Sequence, residues 1–224
     1  MQNKPMLIIG GVLALGLIFY CGIKTLILVL ILLGVGLYFY FDAKFSKLMT
    51  YDIKKGGTPG KYPEIDAKLN ALTSQPLQSE HTCTLGVVPE LAFDYIANFE
   101  LIQDWMPMLT KTWTNNENAQ VPGGAGSVRM IKAVGGKMTE EIVKLKEAPT
   151  LLVYSATDKS LGGMFYNHLG AQICLPEGNE RTKLVWRSYA QSPNNALMRW
   201  LGQTVFKFVV SISVLNLCKR FPVK

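Results

Sequence analysis

Acidic residues are missing from the first forty-one positions of this chain, and between Met6 and Phe41 the only charge is Lys24. Cysteine is scarce. Cys21, Cys83, Cys174 and Cys218 show no CxxC spacing, which argues against zinc-ribbon and disulfide frameworks and leaves buried free thiols as the expectation. Histidine is scarcer still, with only His81 and His168. Two distant imidazoles without an acidic pattern beside them fall short of a metal site, so neither a metal nor a cofactor is expected. No nucleophile motif occurs: "GGAGS" (123–127) has glycines and a serine but no strand-to-helix elbow. The glycines of "AVGGK" are followed by no helix that could cradle a phosphate. From Gln75 onward 15 basic and 12 acidic residues interleave, without the basic run and spaced aromatics of a nucleic-acid surface.

What the chain has in abundance is apolar sequence, 49% of its 224 residues, concentrated in residues 6–41. A run well beyond eighteen apolar residues is a candidate membrane span. As one straight helix it would extend roughly 54 Å, against a hydrocarbon core of about 30 Å. Two arrangements fit: two short spans turning near "CGIKT" (21–25), or one tilted span with an apolar extension. The hairpin is preferred, because Lys24 is cheap in a loop and costly at mid-membrane. A cleaved signal peptide fits poorly, since its apolar region is about 7–15 residues long and ends at small residues. Lys44, Lys47, Lys54 and Lys55 follow the run and outnumber Lys4 before it. The positive-inside tendency therefore places the C-terminal part in the cytoplasm, with the lysines facing anionic membrane lipids.

The organisation expected is a transmembrane anchor (1–41), a juxtamembrane linker (42–75) and a folded domain (76–224). "KKGGTPGKYP" (54–63) is rich in breakers, and "EIDAKLNAL" (64–72) reads as a short helix. In "SEHTCTLGV" (79–87), His81, Cys83, Leu85 and Val87 alternate with Glu80, Thr82 and Thr84, the pattern of a half-buried strand. "PELAFDYIAN" enters a helix on proline and carries Leu91, Tyr95 and Phe99 at helical spacing. "FELIQDW" reads as a second short helix ended by Pro107. Strands follow at 108–115, 127–134, 137–146, 150–157, 164–175 and 181–190, with "GG" (135–136) as a hairpin signal and "PEGNE" (176–180) as a turn. Residues 192–221 close the chain as one long helix with Ser192 as N-cap and Pro193 first in the helix. Leu197, Leu201, Val205, Phe208, Ile212 and Leu215 repeat along it at steps that suit burial against a sheet. Lys207, Lys219 and Arg220 argue against a membrane span there.

The class is α+β: a curved antiparallel sheet of about seven strands around a long C-terminal helix, with two short helices after the first strand. A curved sheet and one long helix leave a space between them, where apolar ligands commonly bind.

From about Pro76 to Arg220 the chain resembles the START/SRPBCC helix-grip superfamily, which includes polyketide cyclase/dehydrase-like and coenzyme Q-binding-like proteins. The matching stretches are "VPELAFDYIANFELIQDWMP" (88–107), "GGAGSVRMI" (123–131), "EEIVKLKEAPTLLVYSAT" (140–157) and "ERTKLVWRSYAQSP" (180–193). Residues 1–41 depart from the superfamily, most of whose members are soluble. The resemblance implies a cavity between sheet and helix, gated near the first helix pair and holding an apolar or amphipathic small molecule. It implies no particular reaction.

Candidate cavity residues follow from the pattern. Glu140 and Glu141 are adjacent on a strand, so one points inward, where it can pair with Arg129 on the neighbouring strand. His168, like His81, is a candidate general base if it faces the cavity. Trp105, Tyr154, Trp186 and Trp200 are aromatic lining candidates. The functional expectation is membrane-anchored binding or transfer of a hydrophobic small molecule, a lipid, quinone or polyketide-like compound. The alternatives are a cyclase or dehydratase using Arg129, Glu140 or Glu141 and His168, and an interaction or stress-response module whose cavity is filled by side chains.

Overall fold

A computed structural model describes residues 52–55, 60–133, 138–157 and 164–223, with 52–55 as backbone. The expected anchor (1–41), with its one or two spans, and the expected "GG" turn (135–136) lie outside the described residues.

Eight strands form one antiparallel sheet. They are β1 (Asp52–Lys55), β2 (Leu77–Leu85), β3 (Leu109–Asn115), β4 (Val128–Ala133), β5 (Met138–Glu147), β6 (Leu151–Ala156), β7 (Tyr166–Pro176) and β8 (Thr182–Gln191). Their spatial order is β1-β2-β8-β7-β6-β5-β4-β3. Five hairpin-type neighbours run from β3 to β8, and β2 closes against β8 with Trp186 opposite His81. The helices are α1 (Pro63–Leu72), α2 (Pro89–Ala97), α3 (Ile102–Trp105) and α4 (Ala196–Arg220), with a 3-10 turn at Phe99–Leu101. This is the helix-grip arrangement.

Local chemistry explains the boundaries. Pro89 opens α2, where its missing N–H costs nothing. Asn98 then breaks the helix, and its side chain accepts from the Glu100 N–H at 3.0 Å to start the 3-10 turn. Pro107 follows α3, after the extended Met106. The long helix starts three residues later than the sequence suggests. Asn195, not Ser192, is its N-cap, accepting from the N–H groups of Leu197 (2.9 Å) and Met198 (3.1 Å). Ser192 instead donates to Gln78 Oε1 at 3.2 Å, and Pro193 is buried ahead of the helix. Lys219 and Arg220 sit in the last turn, where the helix dipole favours cations.

The inner face of the sheet carries one core. Cys83, Leu85, Leu152, Tyr154, Cys174, Leu184 and Trp186 meet Phe93 and Ile96 of α2, Ile102 and Trp105 of α3, and Val210, Val214 and Leu217 of α4. Only the C-terminal half of α4 is buried in this way. Leu197, Leu201, Val205 and Phe208, expected to pack, are exposed, because these turns pack with their other side, through Gly202 and Phe206.

The outer face carries a second core. Residues 52–72, read from sequence as linker, supply β1 and α1. Helix α1 lays Leu69 and Ile65 over Leu151, Val153, Ala171, Ile173 and Val185. The strands β6–β8 are therefore buried on both faces, and on the polar side of β2 Glu80 is buried while Thr82 and Thr84 are half-buried. Arg187 is fully buried beneath α1, paired with Asp66 of that helix and donating from Nε to Glu80 Oε2 at 2.8 Å. A register shift between Val143 and Leu145 sends the first into the inner core and the second to the outer one. Cys83 and Cys174 are buried free thiols and Cys218 is half-buried.

Candidate functional site

The inner face converges on Arg129. Alternation along β4 sends Arg129 and Ile131 inward and leaves Val128 and Met130 half-buried. In the antiparallel register Arg129 lies opposite Glu141 of β5, and the two buried side chains form an ion pair. Glu140, one residue earlier, points to the exposed side. The Arg129 guanidinium is sandwiched between the Phe99 ring (5.3 Å) and the Tyr154 ring (4.5 Å). Its Nε is buried without a hydrogen-bond partner among the described residues.

Tyr154 stands at the centre because β7 makes room for it. A Cβ on Gly170 would lie 2.4 Å from Tyr154 Cζ, so glycine is what allows the ring to lie across that strand. The Tyr154 hydroxyl accepts from Trp186 Nε1 at 3.1 Å. Burial, with the Glu141 charge adding to it, holds this phenol protonated far above its ordinary range, against the opposing effects of Arg129 and the Trp186 hydrogen bond. The hydroxyl thus keeps its own proton for an acceptor in the interior. Trp105 of α3 meets Trp186 edge-on at 5.9 Å. Its backbone carbonyl accepts from Asn216 Nδ2 of α4 at 3.1 Å, while its Nε1 is buried without a hydrogen-bond partner among the described residues.

His168 follows along the same face, 6.2 Å from the Tyr154 ring and 5.8 Å from Phe206 of α4. Its Nε2 is 3.1 Å from Ser188 Oγ, and its Nδ1 is buried without a hydrogen-bond partner among the described residues. Burial depresses its pKa to about 4, so the imidazole is neutral at neutral pH. His81 of β2, edge-on to the same Phe206 at 6.5 Å, is lowered to about 4 by burial, aided by the Lys207 charge. Neither imidazole is tuned as a general base for neutral pH.

A cleft of about 670 Å³ reaches the edge of this cluster at Phe99 and Arg129; Glu141, Tyr154, Trp105, Trp186 and His168 do not line it. Asp94, Ala97 and Asn98 at the end of α2, the 3-10 turn, Thr112 and Thr114 of β3, and the 116–123 loop form its walls. Arg129, Val143 and Leu152 form its floor. The helix pair expected to gate the cavity thus supplies one side of the opening.

Of the residues singled out from sequence, Arg129, Glu141, Tyr154, His168, Trp186 and Trp105 come together on the inner face. Glu140 and Trp200 do not: Glu140 faces solvent, and Trp200 lies on the outer side of α4. Phe99, Gly170, Gln172, Ser188 and Phe206 belong to the cluster and were not anticipated. Strand alternation from Trp186 could have found Ser188. Nothing local marks Phe99 or Gly170, whose roles arise across strands.

The fold and interior define a helix-grip domain, a sheet closed over a long helix with a cleft leading inside. The chain belongs to the polyketide cyclase / dehydrase and lipid transport family, whose model matches residues 77–213. Solved structures share the fold at low identity. The protein XoxI from Bacillus cereus is 14% identical over 63% of this chain and 93% of its own, with a TM-score of 0.53. A Thermobifida fusca protein is 16% identical over 63% of this chain and 90% of its own, also at 0.53. Truncated norcoclaurine synthase from Thalictrum flavum is 10% identical over 65% of this chain and 93% of its own, at 0.50. Curated proteins give no significant sequence match.

Proposed function

We propose that this chain is a membrane-tethered carrier that binds a hydrophobic small molecule, a lipid, quinone or polyketide-like compound, between its sheet and its C-terminal helix. The observation that carries the reading is the cleft of about 670 Å³ with Arg129 in its floor, which enters from the side of α2, the 3-10 turn and β3 and is lined by no residue of α4. That volume lies in the range of small-molecule sites, about 300–1,000 Å³. The interior offers aromatic and aliphatic walls for the body of a ligand. It offers Arg129 Nε, a buried donor without a hydrogen-bond partner among the described residues, for a polar end. Such an atom is costly to leave unsatisfied, and an oxygen-bearing headgroup would satisfy it. The family's association with lipid transport agrees with this.

Tethering completes the reading. The apolar residues 6–41 anchor the chain, and the lysines after them hold the domain on the cytoplasmic side. A pocket at the bilayer surface reaches a membrane-dissolved ligand without a soluble intermediate. The domain takes in β1 and α1 as well as residues 76–224, which leaves about ten residues after Phe41 to join it to the anchor.

A second reading, a cyclase or dehydratase, is favoured by one observation: Tyr154 is a protonated acid whose oxygen is oriented by Trp186. Full-length chain purified from membranes and extracted for mass spectrometry separates the readings. A carrier yields an apolar compound at near one per chain, released unchanged on denaturation. An enzyme converts an added carbonyl substrate and loses turnover in Tyr154→Phe while keeping binding. Neither bound compound nor turnover would sink both.

A further inference from the structure

The two halves of α4 meet different surroundings. Val210, Ser211, Ser213, Val214 and Leu217 are buried. The first turns instead present Leu197 (67% exposed), Trp200 (62%), Leu201 (39%) and Val205 (39%). Steps of three, one and four residues set these on one stripe of the helix. The opposite side of the same turns is fixed. A Cβ on Gly202 would lie 3.1 Å from the Met164 side chain, and Phe206 packs edge-on against Phe165 at 5.8 Å. Rotation of the helix cannot hide the stripe without breaking those contacts, so a contiguous apolar surface is left facing outward.

Charge indicates what covers it. From Arg181 to Lys224 the chain has eight basic residues and no acidic one, and Arg199, beside Trp200, is exposed. Aliphatic side chains with a tryptophan, on helix turns whose charged residues Arg199 and Lys207 are both basic, suit the headgroup boundary of an anionic bilayer. Chain length agrees. The apolar run ends at Phe41 and β1 begins at Asp52, a tether of at most about 40 Å of extended chain.

We propose that Leu197, Trp200, Leu201 and Val205 of α4 dock on the surface of an anionic lipid bilayer, with Arg199 at the phosphate level. The nearness of that bilayer rests on the tethered reading above; the stripe and its charge do not. Docking brings the helix that covers the interior into the layer from which an apolar ligand would come.

The test uses the full chain in vesicles of phosphatidylcholine and phosphatidylglycerol carrying brominated acyl chains, which quench tryptophan fluorescence on contact. Trp105 and Trp186 are buried and Trp113 lies on β3, so Trp200 is expected to dominate the quenching. Trp200→Phe removes most of it and Trp113→Phe leaves it. The pair Leu197→Glu and Leu201→Glu, at exposed positions that the fold does not need, reduces it, as does replacing phosphatidylglycerol by phosphatidylcholine. Quenching unchanged in Trp200→Phe overturns the proposal. So does a Trp200 that bromine does not reach but that is shielded from aqueous acrylamide; dependence of that shielding on chain density would assign the stripe to a second copy, and independence to another segment of the same chain. Resistance to carbonate extraction reads the tether separately. Extractable chain with a quenched Trp200 sinks the tether and keeps docking, whereas resistant chain without quenching sinks docking alone.

Discussion

Gly170 has no side chain, yet it decides where the functional interior sits. Tyr154 lies flat over it, with Arg129 on one side and Trp186 Nε1 bonded to its hydroxyl. A methyl group at Gly170 would meet the phenol ring at 2.4–2.7 Å, closer than packed atoms tolerate, so the ring must move. Gly170→Ala is therefore expected to cost about 1–3 kcal/mol, the usual range for overpacking a core, and to break the Tyr154–Trp186 hydrogen bond. Denaturant midpoints measure the first effect and a shift in tryptophan emission the second. A substitution without loss of stability would show that the ring has an alternative seat. That Arg129 can pair with an inward glutamate at 140 or 141 was legible in sequence, because adjacent strand residues face opposite ways and a buried carboxylate needs a cation. Which of the two glutamates turned inward was not, since it depends on the register of β4 against β5.

At the scale of elements, α1 shows how a short helix expected inside a linker becomes part of the domain. Its one fully buried apolar residue, Leu69, gives it a weak apolar stripe, and isolated short helices of this length are marginal. It is held by what lies beneath it: the outer faces of β6–β8, and Arg187 joined to Asp66 and Glu80. Removing Arg187 would leave Glu80 buried without its cation. Arg187→Ala should cost about 3–5 kcal/mol and release α1, which hydrogen exchange across 63–72 would register as lost protection. A loss confined to α1, with the sheet intact, would locate the cation's role in docking that helix alone. Helix α4 makes the converse point. Its apolar periodicity was plain from sequence, but periodicity does not say which side of each turn packs, and here the first turns pack with the side opposite the apolar stripe.

Over the whole molecule, the two histidines make stability depend on pH. His81 and His168 lie on either side of Phe206 in the interior, each with its pKa lowered to about 4 by burial. An unfolded chain titrates them near 6.5 and so binds more protons than the folded one between 6.5 and about 4. Stability from this source is complete above pH 6.5 and is lost as pH falls through that window, by up to about 3 kcal/mol per histidine. Urea midpoints of the full chain in detergent, taken from pH 7 down to pH 4, should fall accordingly. His168→Gln should flatten the slope, and an unchanged slope would contradict the neutral, buried imidazole.

What the sequence determined by itself was everything that repeats at short range. The strand alternations, the proline stops, the hairpin turns and the apolar helix at the end were enough to specify the α+β class. The stretches from Val88 to Pro193 were enough for a resemblance to the START/SRPBCC superfamily. The inward-facing Arg129, Tyr154 and Trp186 were legible for the same reason: a side chain's face follows from its parity along a strand. What only the tertiary structure decided was everything that depends on two elements meeting. The second core under α1, the glycine seat beneath Tyr154, the neutral histidines around Phe206 and the exposed stripe of α4 all depend on distances between residues far apart in the chain. Burial and desolvation are properties of the assembled surroundings, and no local pattern carries them.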